Sequence, residues 1–143
     1  GDAHAANVFF PKGGDRSPER LVICDWEEVS VGLGANDIAR FQLVSMVPHH
    51  RRAAAARLAE TYLSELRANG VESYAMAAYE RDFRLCTLYQ IAMSVIDLGT
   101  ISTSTERGEA ALRALLPRVV AAAADLGDIS DVLEGLDTPS DGP

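Results

Sequence analysis

The segment Gly1-Asp2-Ala3-His4-Ala5-Ala6-Asn7, followed eighteen residues later by Asp25, decides the fold of this chain. It places an asparagine five positions after an aspartate, and a second aspartate beyond two short apolar runs. Carboxylate and amide oxygens are ligands that suit a hard divalent cation. The residue types and their spacing therefore predict a loop that carries chemistry, held at the base of a small hairpin.

The two apolar runs predict the strands of that hairpin. They are Val8-Phe9-Phe10-Pro11 and Leu21-Val22-Ile23-Cys24, and a segment rich in glycine and proline, residues 12–19, separates them. Short apolar runs joined by such a segment indicate two paired strands. Pairing would bring Asn7 and Asp25 to neighbouring strand ends, as two ligands of one metal ion require.

Beyond Gly34 the apolar period becomes helical and predicts about five helices. The third is apolar almost all round from Leu85 onward, which is typical of a central, buried helix. We expect helices over residues 36–46, 51–69, 74–98, from about 102 into the 120s, and 128–136.

Local signals suggest how these helices begin and bend. Asn36 is a suitable N-cap for the first helix. Thr103 with Glu106 matches a capping box at the start of the fourth helix. Pro117 lies inside that helix and is expected to kink it or split it in two.

The spacing of the polar residues is typical of a kinase-like phosphoryl-transfer centre. Asp2 would orient an acceptor hydroxyl and take its proton. Asn7 and Asp25 would hold Mg²⁺ on the phosphates of a nucleotide. His4, two residues after Asp2, would approach the transferred phosphate or fix the loop.

Composition excludes several other classes of protein. The net charge is −8 and no basic stripe occurs apart from Arg51-Arg52, so we expect no nucleic-acid binding. No apolar run is long enough to span a membrane. Two isolated cysteines, Cys24 and Cys86, form no disulfide framework and favour free thiols and a cytoplasmic location.

Taken together, the motifs resemble the aminoglycoside phosphotransferase and choline/ecdysteroid-kinase-like superfamily. The resemblance lies in Gly-Asp-x-His-x-x-Asn at residues 1–7, Asp25-Trp26-Glu27, Gly32, and Asp37-Ile38-Ala39. A further segment, Arg81-Asp82-Phe83-Arg84-Leu85, is similar to a helix of the ecdysteroid-kinase-like branch. The resemblance covers about residues 1–98.

The resemblance implies a mainly α, α+β fold: the C-terminal lobe of a protein-kinase-like enzyme over residues 1–136, followed by a disordered tail at 137–143. It implies ATP-dependent phosphoryl transfer to a hydroxyl group of a small molecule, with Mg²⁺ as cofactor. Asp2 would be the catalytic aspartate, Asn7 and Asp25 the magnesium ligands, and Asp37 a support for the loop backbone.

One polar stripe of the third helix has two interpretations. Gln90, Ser94 and Asp97 could line the pocket for the acceptor, or they could be polar groups satisfied inside a helical core. The acceptor itself is not readable from these residues.

The resemblance also predicts a missing N-lobe. No glycine-rich nucleotide loop is present, and the only lysine, Lys12, lies in the predicted hairpin turn. We therefore expect this chain to be inactive alone and to expose apolar hairpin residues such as Val8 and Phe9 or Phe10. Exposed apolar patches promote self-association.

Two other functions are open at this stage. The chain could be a non-catalytic helical binding module that keeps a kinase-like shape. Asp2-x-His4 also matches the start of a metallophosphoesterase motif, although the later blocks of that motif, including an Asn-His pair, are missing.

Overall fold

A computed structural model describes residues 2–11, 21–27 and 29–137, with residues 135–137 described by their backbone only. The predicted turn with Lys12 and the predicted tail at residues 138–143 lie outside the described residues. In the described part the chain forms a two-stranded sheet and five α-helices. The predicted mainly helical α+β fold is confirmed at this level.

The hairpin pairs as the sequence predicts. Strand β1 (Val8–Phe9) lies antiparallel to β2 (Val22–Ile23), with Val8 opposite Ile23 and Phe9 opposite Val22. A single-turn 3₁₀ helix, Ala5–Asn7, precedes β1 directly. Its last residue, Asn7, therefore directly precedes the first strand.

The helices begin and end within about four residues of the predicted bounds, and the second helix begins three residues earlier than predicted. Proline at position 48 opens the second helix because a first helical turn needs no donor from that residue. The five are α1 (Ala35–Ser45), α2 (Pro48–Ala68), α3 (Met76–Thr100), α4 (Glu106–Leu126) and α5 (Ile129–Asp137).

Three predictions about helix ends and bends need correction. The N-cap of α1 is Gly34, and Asn36 lies inside the helix with its side chain turned to another partner. Thr105, rather than Thr103, caps α4, because its hydroxyl accepts a hydrogen bond from the Gly108 amide at 3.1 Å. Of the two outcomes expected at Pro117, a split is wrong, because α4 continues through this residue, and a kink stays a prediction.

Helix α3 is the centre of the helical part and packs against each of the other four helices. One core cluster joins α1, α2 and α3 through residues such as Ala39, Leu63 and Tyr79. A second joins α1 to α4 through Leu43, Val119 and Ala122. Small side chains at these crossings let the helices approach closely, which shortens the distance between α1 and its neighbours.

The burial of α3 is less complete than its apolar sequence predicts. Val95 and Ile96, near its C-terminal end, are 56% and 59% exposed. No described helix is long and apolar enough to cross a membrane.

Candidate active site

The loop before β1, residues 2–7, is fastened to the helical part. His4 caps the 3₁₀ turn, its Nδ1 accepting from the Ala6 amide at 3.2 Å. The Ala5 amide donates to Ser45 Oγ at 2.8 Å, at the last residue of α1. These bonds fix the loop against one end of α1.

Basic side chains lie at both carboxylate oxygens of Asp2. Arg40 of α1 binds Oδ1 through Nε and Nη2, forming an ion pair. His4 Nε2 lies 3.2 Å from Oδ2. The hydrogen bond that His4 Nδ1 accepts from the Ala6 amide holds the ring in this position. The carboxylate is thereby fixed in orientation.

Arg40 is itself positioned from the central helix. Its Nη1 donates to Gln90 Oε1 at 3.2 Å, and Gln90 Nε2 donates to Asn36 Oδ1 at 2.8 Å. Gln90 is only 2% exposed. A continuous chain of hydrogen bonds therefore runs from α3 through α1 to the loop carboxylate.

Sequence reasoning did not single out Arg40. The available signal was its position four residues after Asn36, which places the two side chains on one face of α1. The ion pair with Asp2 spans 38 positions of sequence, so only the packing of α1 against the loop reveals it.

Asn7 and Asp25 meet at the base of the hairpin. The Cys24 amide donates to the Asn7 carbonyl at 3.0 Å, which extends the strand pairing by one step and places Asp25 directly beyond it. Asn7 is 8% exposed, and its Nδ2 donates to the Asp2 carbonyl at 3.1 Å. Asn7 is thus bonded both to the Asp2 backbone and to the residue that precedes Asp25.

Asp25 has an unusual backbone. Its φ is +63°, and it is the only residue other than glycine with a positive φ among those described. Aspartate tolerates this left-handed conformation better than most residues, but it remains sparsely populated and is found preferentially at functional sites. Within the described part of the chain the exposed Asp25 carboxylate makes no hydrogen bond, so it is available to a ligand.

The donor chemistry at the hairpin base fits Mg²⁺. An amide oxygen from Asn7 and a carboxylate oxygen from Asp25 are hard ligands, and such a site is commonly completed by phosphate oxygens and water. Among residues 2–11, 21–27 and 29–137 there is no group of three or more His, Cys, Asp or Glu side chains that could hold a metal by themselves. A two-ligand site shared with a nucleotide needs no such group.

The structure does not bring the predicted acceptor-binding residues to one opening. Gln90 is engaged with Arg40 and Asn36, and Ser94 is fully buried with no hydrogen-bond partner for its hydroxyl in the described residues. Asp97 lies on the surface. Their role in acceptor binding stays a prediction.

Asp37 lies exposed in the first turn of α1. A carboxylate there interacts favourably with the positive end of the helix dipole. Its predicted support of the loop backbone stays a prediction.

Comparison with known proteins gives a match to a protein family. No curated protein and no solved structure matches the chain. A family model described as "Uncharacterized oxidoreductase dhs-27", and so named for an enzyme class, matches residues 1–131. Since this match spans most of the sequence and the whole candidate site, the chain belongs to that family.

Proposed function

We propose that this chain carries the phosphoryl-transfer centre of an ATP- and Mg²⁺-dependent kinase whose acceptor is the hydroxyl group of a small molecule. The observation that supports the proposal is the hydrogen bond from the Cys24 amide to the Asn7 carbonyl. It joins the backbone of Asn7 to the residue before Asp25, which supports a site that would use the Asn7 amide and the Asp25 carboxylate as ligands. Those are the protein groups that phosphoryl transfer requires.

In this proposal Asp2 orients the acceptor hydroxyl and takes its proton. Arg40 and His4 hold its carboxylate from behind, so the group loses little conformational freedom when the acceptor binds. Fixing a reacting group in this way lowers the entropic part of the barrier. Arg40 and Gln90 are positioning residues because they act through Asp2.

Asn7 and Asp25 would hold Mg²⁺, which neutralises and orients the phosphates of the nucleotide when it is bound. The left-handed backbone at Asp25 turns the chain sharply after β2 and leaves the carboxylate exposed beside Asn7. Asn7 also donates to the Asp2 carbonyl, so the metal-binding and acceptor-binding parts of the site are mechanically linked.

The family description favours a second candidate, an oxidoreductase. The residues nearest to a dinucleotide-binding motif are Gly32-Leu33-Gly34 before α1, but a complete motif follows a strand and has a third small residue where Asp37 stands. At Gly34 a Cβ would lie 2.1 Å from the Tyr62 hydroxyl oxygen. Close packing of α1 on α2 therefore accounts for this glycine.

One experiment separates these candidates. Protein that includes the expected N-lobe is incubated with a panel of small hydroxyl compounds, in one arm with Mg²⁺ and ATP and in the other with NAD(P)H or NAD(P)⁺. We expect acceptor-dependent ADP release in the first arm. Turnover confined to the nicotinamide arm would establish the oxidoreductase, and turnover in neither would establish a non-catalytic binding module.

The matched variants are Asp25→Asn and Asp131→Asn. Asparagine keeps the size of Asp25 and tolerates its left-handed backbone, but it removes the charge that binds the metal. We expect Asp25→Asn to raise the Mg²⁺ concentration needed for half-maximal turnover about tenfold or more. Asp131, exposed on α5, is the control, and its variant should behave like the parent.

A further inference from the structure

A second site lies on the other side of α1 from the catalytic loop. Successive residues of an α-helix are about 100° apart, so Arg40 and Gln42 point in nearly opposite directions. Arg40 reaches Asp2, whereas Gln42 lines a cavity of about 370 Å³ between α1, α2, α3 and α4. A cavity of this size is at the lower end of those that hold small-molecule ligands.

Gln42 is the unusual group in this cavity. Its side chain is 2% exposed, and its Nε2 has no hydrogen-bond partner in the part of the chain that the structure describes. Buried amides are almost always hydrogen-bonded, so an unpaired one calls for a partner that a ligand can supply. An N–H group requires an acceptor oxygen.

The cavity continues beside Gln42 into a second one of about 400 Å³. Gln42, Ala55, Phe83 and Arg84 line both, so they form the junction between them. Apolar side chains make up most of the walls on either side. These include Leu43, Ala122 and Leu126 in the first cavity and Ala59, Met76 and Tyr79 in the second.

The charges at the rim favour a monoanion. Arg51 and Arg52 both pair with Asp125, so their charge is partly compensated. Arg84 donates only to the Leu126 carbonyl, at 3.4 Å, and forms no ion pair with a described carboxylate. Of the three guanidinium groups, it is the one that remains for a ligand.

The carboxylates of the second cavity limit the orientation of that ligand. Glu60 and Glu80 line the second cavity but not the first. They would repel an anionic group placed among them, and they add to the cost of binding a multiply charged anion. A ligand with a single negative charge at the junction could bind Gln42 and Arg84 there, and its apolar part could extend along the cavity walls.

We propose that this pair of cavities binds a small amphipathic carboxylate. Its carboxylate accepts hydrogen bonds from Gln42 Nε2 and the Arg84 guanidinium, and its apolar chain lies against Phe83 and the neighbouring aliphatic side chains. Charge-assisted bonds to a guanidinium are among the stronger protein hydrogen bonds. The site is separate from the phosphoryl-transfer centre and does not depend on it.

Titration calorimetry with octanoate tests the proposal without nucleotide, so the outcome is independent of the proposed kinase activity. We expect saturable binding of octanoate and about tenfold weaker binding of 1-octanol, which lacks the charge. No saturable binding of octanoate, or equal affinity for the alcohol, would overturn the proposal.

Variants assign the two polar contacts. Arg84→Gln and Gln42→Leu should each raise the octanoate dissociation constant about tenfold or more. Arg57→Gln, on the exposed face of α2 and outside both cavities, should leave it unchanged. If Gln42→Leu does not fold, Arg84→Gln alone tests the proposed contact with the carboxylate, because substitution of the exposed Arg84 should not prevent folding. Unchanged affinity in the Arg84 variant would refute the assignment.

Discussion

In the helical body, formed by α1 to α4, Leu63 is 1% exposed, whereas in the hairpin Phe9 and Ile23 are 57% and 48% exposed. The body buries a core of apolar side chains between helices, although others, such as Val95 and Val120, are exposed. The hairpin leaves its own uncovered and carries polar groups at its base. The two regions therefore contribute different things, since apolar burial stabilises a fold and exposed polar groups perform chemistry.

The two regions are nevertheless coupled through α1. Arg40 and Gln90 belong to the body, yet their hydrogen bonds end at Asp2 in the loop. The loop is too short to hold a carboxylate in one orientation by itself. The geometry of the loop is therefore imposed from the body.

The largest expected effect is on chemistry. Asp2→Asn keeps the size of the side chain but removes the group that accepts the proton, and general-base contributions are about 10²–10⁴-fold. In protein that includes the expected N-lobe, we expect kcat with Mg²⁺ and ATP to fall by that factor. Stability should also fall, by about 1–3 kcal/mol, because the Asp2 and Arg40 side chains are only 20% and 19% exposed and the substitution leaves the Arg40 charge uncompensated. Steady-state kinetics and urea unfolding of the same samples check both expectations.

Asp131→Asn is again the control for that measurement. Near-normal phosphoryl transfer by Asp2→Asn would show that Asp2 is not the catalytic group.

The next effect is on stability alone. Leu63→Ala removes a fully buried side chain between α2 and α3, and such substitutions cost about 2–5 kcal/mol. We expect the urea midpoint to fall accordingly, while kcat per folded molecule stays near that of the parent. Leu116→Ala, at a position 46% exposed on α4, is the matched control and should cost far less. A similar loss of stability in both variants would contradict the inference that buried apolar side chains between the helices stabilise the body.

Sequence reasoning predicted much of this division because its signals are local. The change from strand to helical period located all five helices, and two short apolar runs located the hairpin that joins Asn7 to Asp25. The N-cap of α4 was harder to predict, because each of four consecutive hydroxyl residues, 102–105, could begin this helix. Thr105 is the one that reaches an amide three residues ahead.

What the sequence did not reveal depends on contacts between distant elements. The pairing of Arg40 with Asp2 and the unpartnered amide of Gln42 both arise from how α1 packs among its neighbours. For the same reason Gln90, a candidate for acceptor binding, lies inside the molecule as a link to Arg40. A polar residue in an apolar helix predicts an important contact without identifying its partner.

The hairpin should govern self-association. Phe9 and Phe10 are 57% and 63% exposed, and burying one phenylalanine side chain contributes about 1.5–3 kcal/mol. We expect sedimentation to show concentration-dependent association of this chain, weakened about ten- to hundredfold in Phe9→Ser. Val120→Ser, at an exposed position on α4, serves as the control. A monomer at all concentrations would refute this prediction.

The smallest expected effect is a pH dependence confined to the body. Burial, with a smaller contribution from Asp82, raises the pKa of the Cys86 thiol from 9.0 to about 11. Between these values the unfolded chain releases the thiol proton while the folded chain keeps it. Stability from this group is therefore complete below about pH 9 and is lost as the pH rises toward 11.

For Cys86 alone, we expect the free energy of unfolding to fall by on the order of 1 kcal/mol between pH 8 and pH 10. Cys86→Ala removes the titrating thiol, so its urea midpoint should fall less over the same interval. Buried tyrosines such as Tyr79, whose pKa is raised mainly by burial, titrate in both proteins, and only their smaller interaction with Cys86 differs between them. Cys24→Ala, in the partly exposed hairpin base, is the control, and its urea midpoint should fall with pH as much as that of the parent. If the urea midpoints of Cys86→Ala and the parent fell equally with pH, burial in the core would not raise the pKa of the Cys86 thiol.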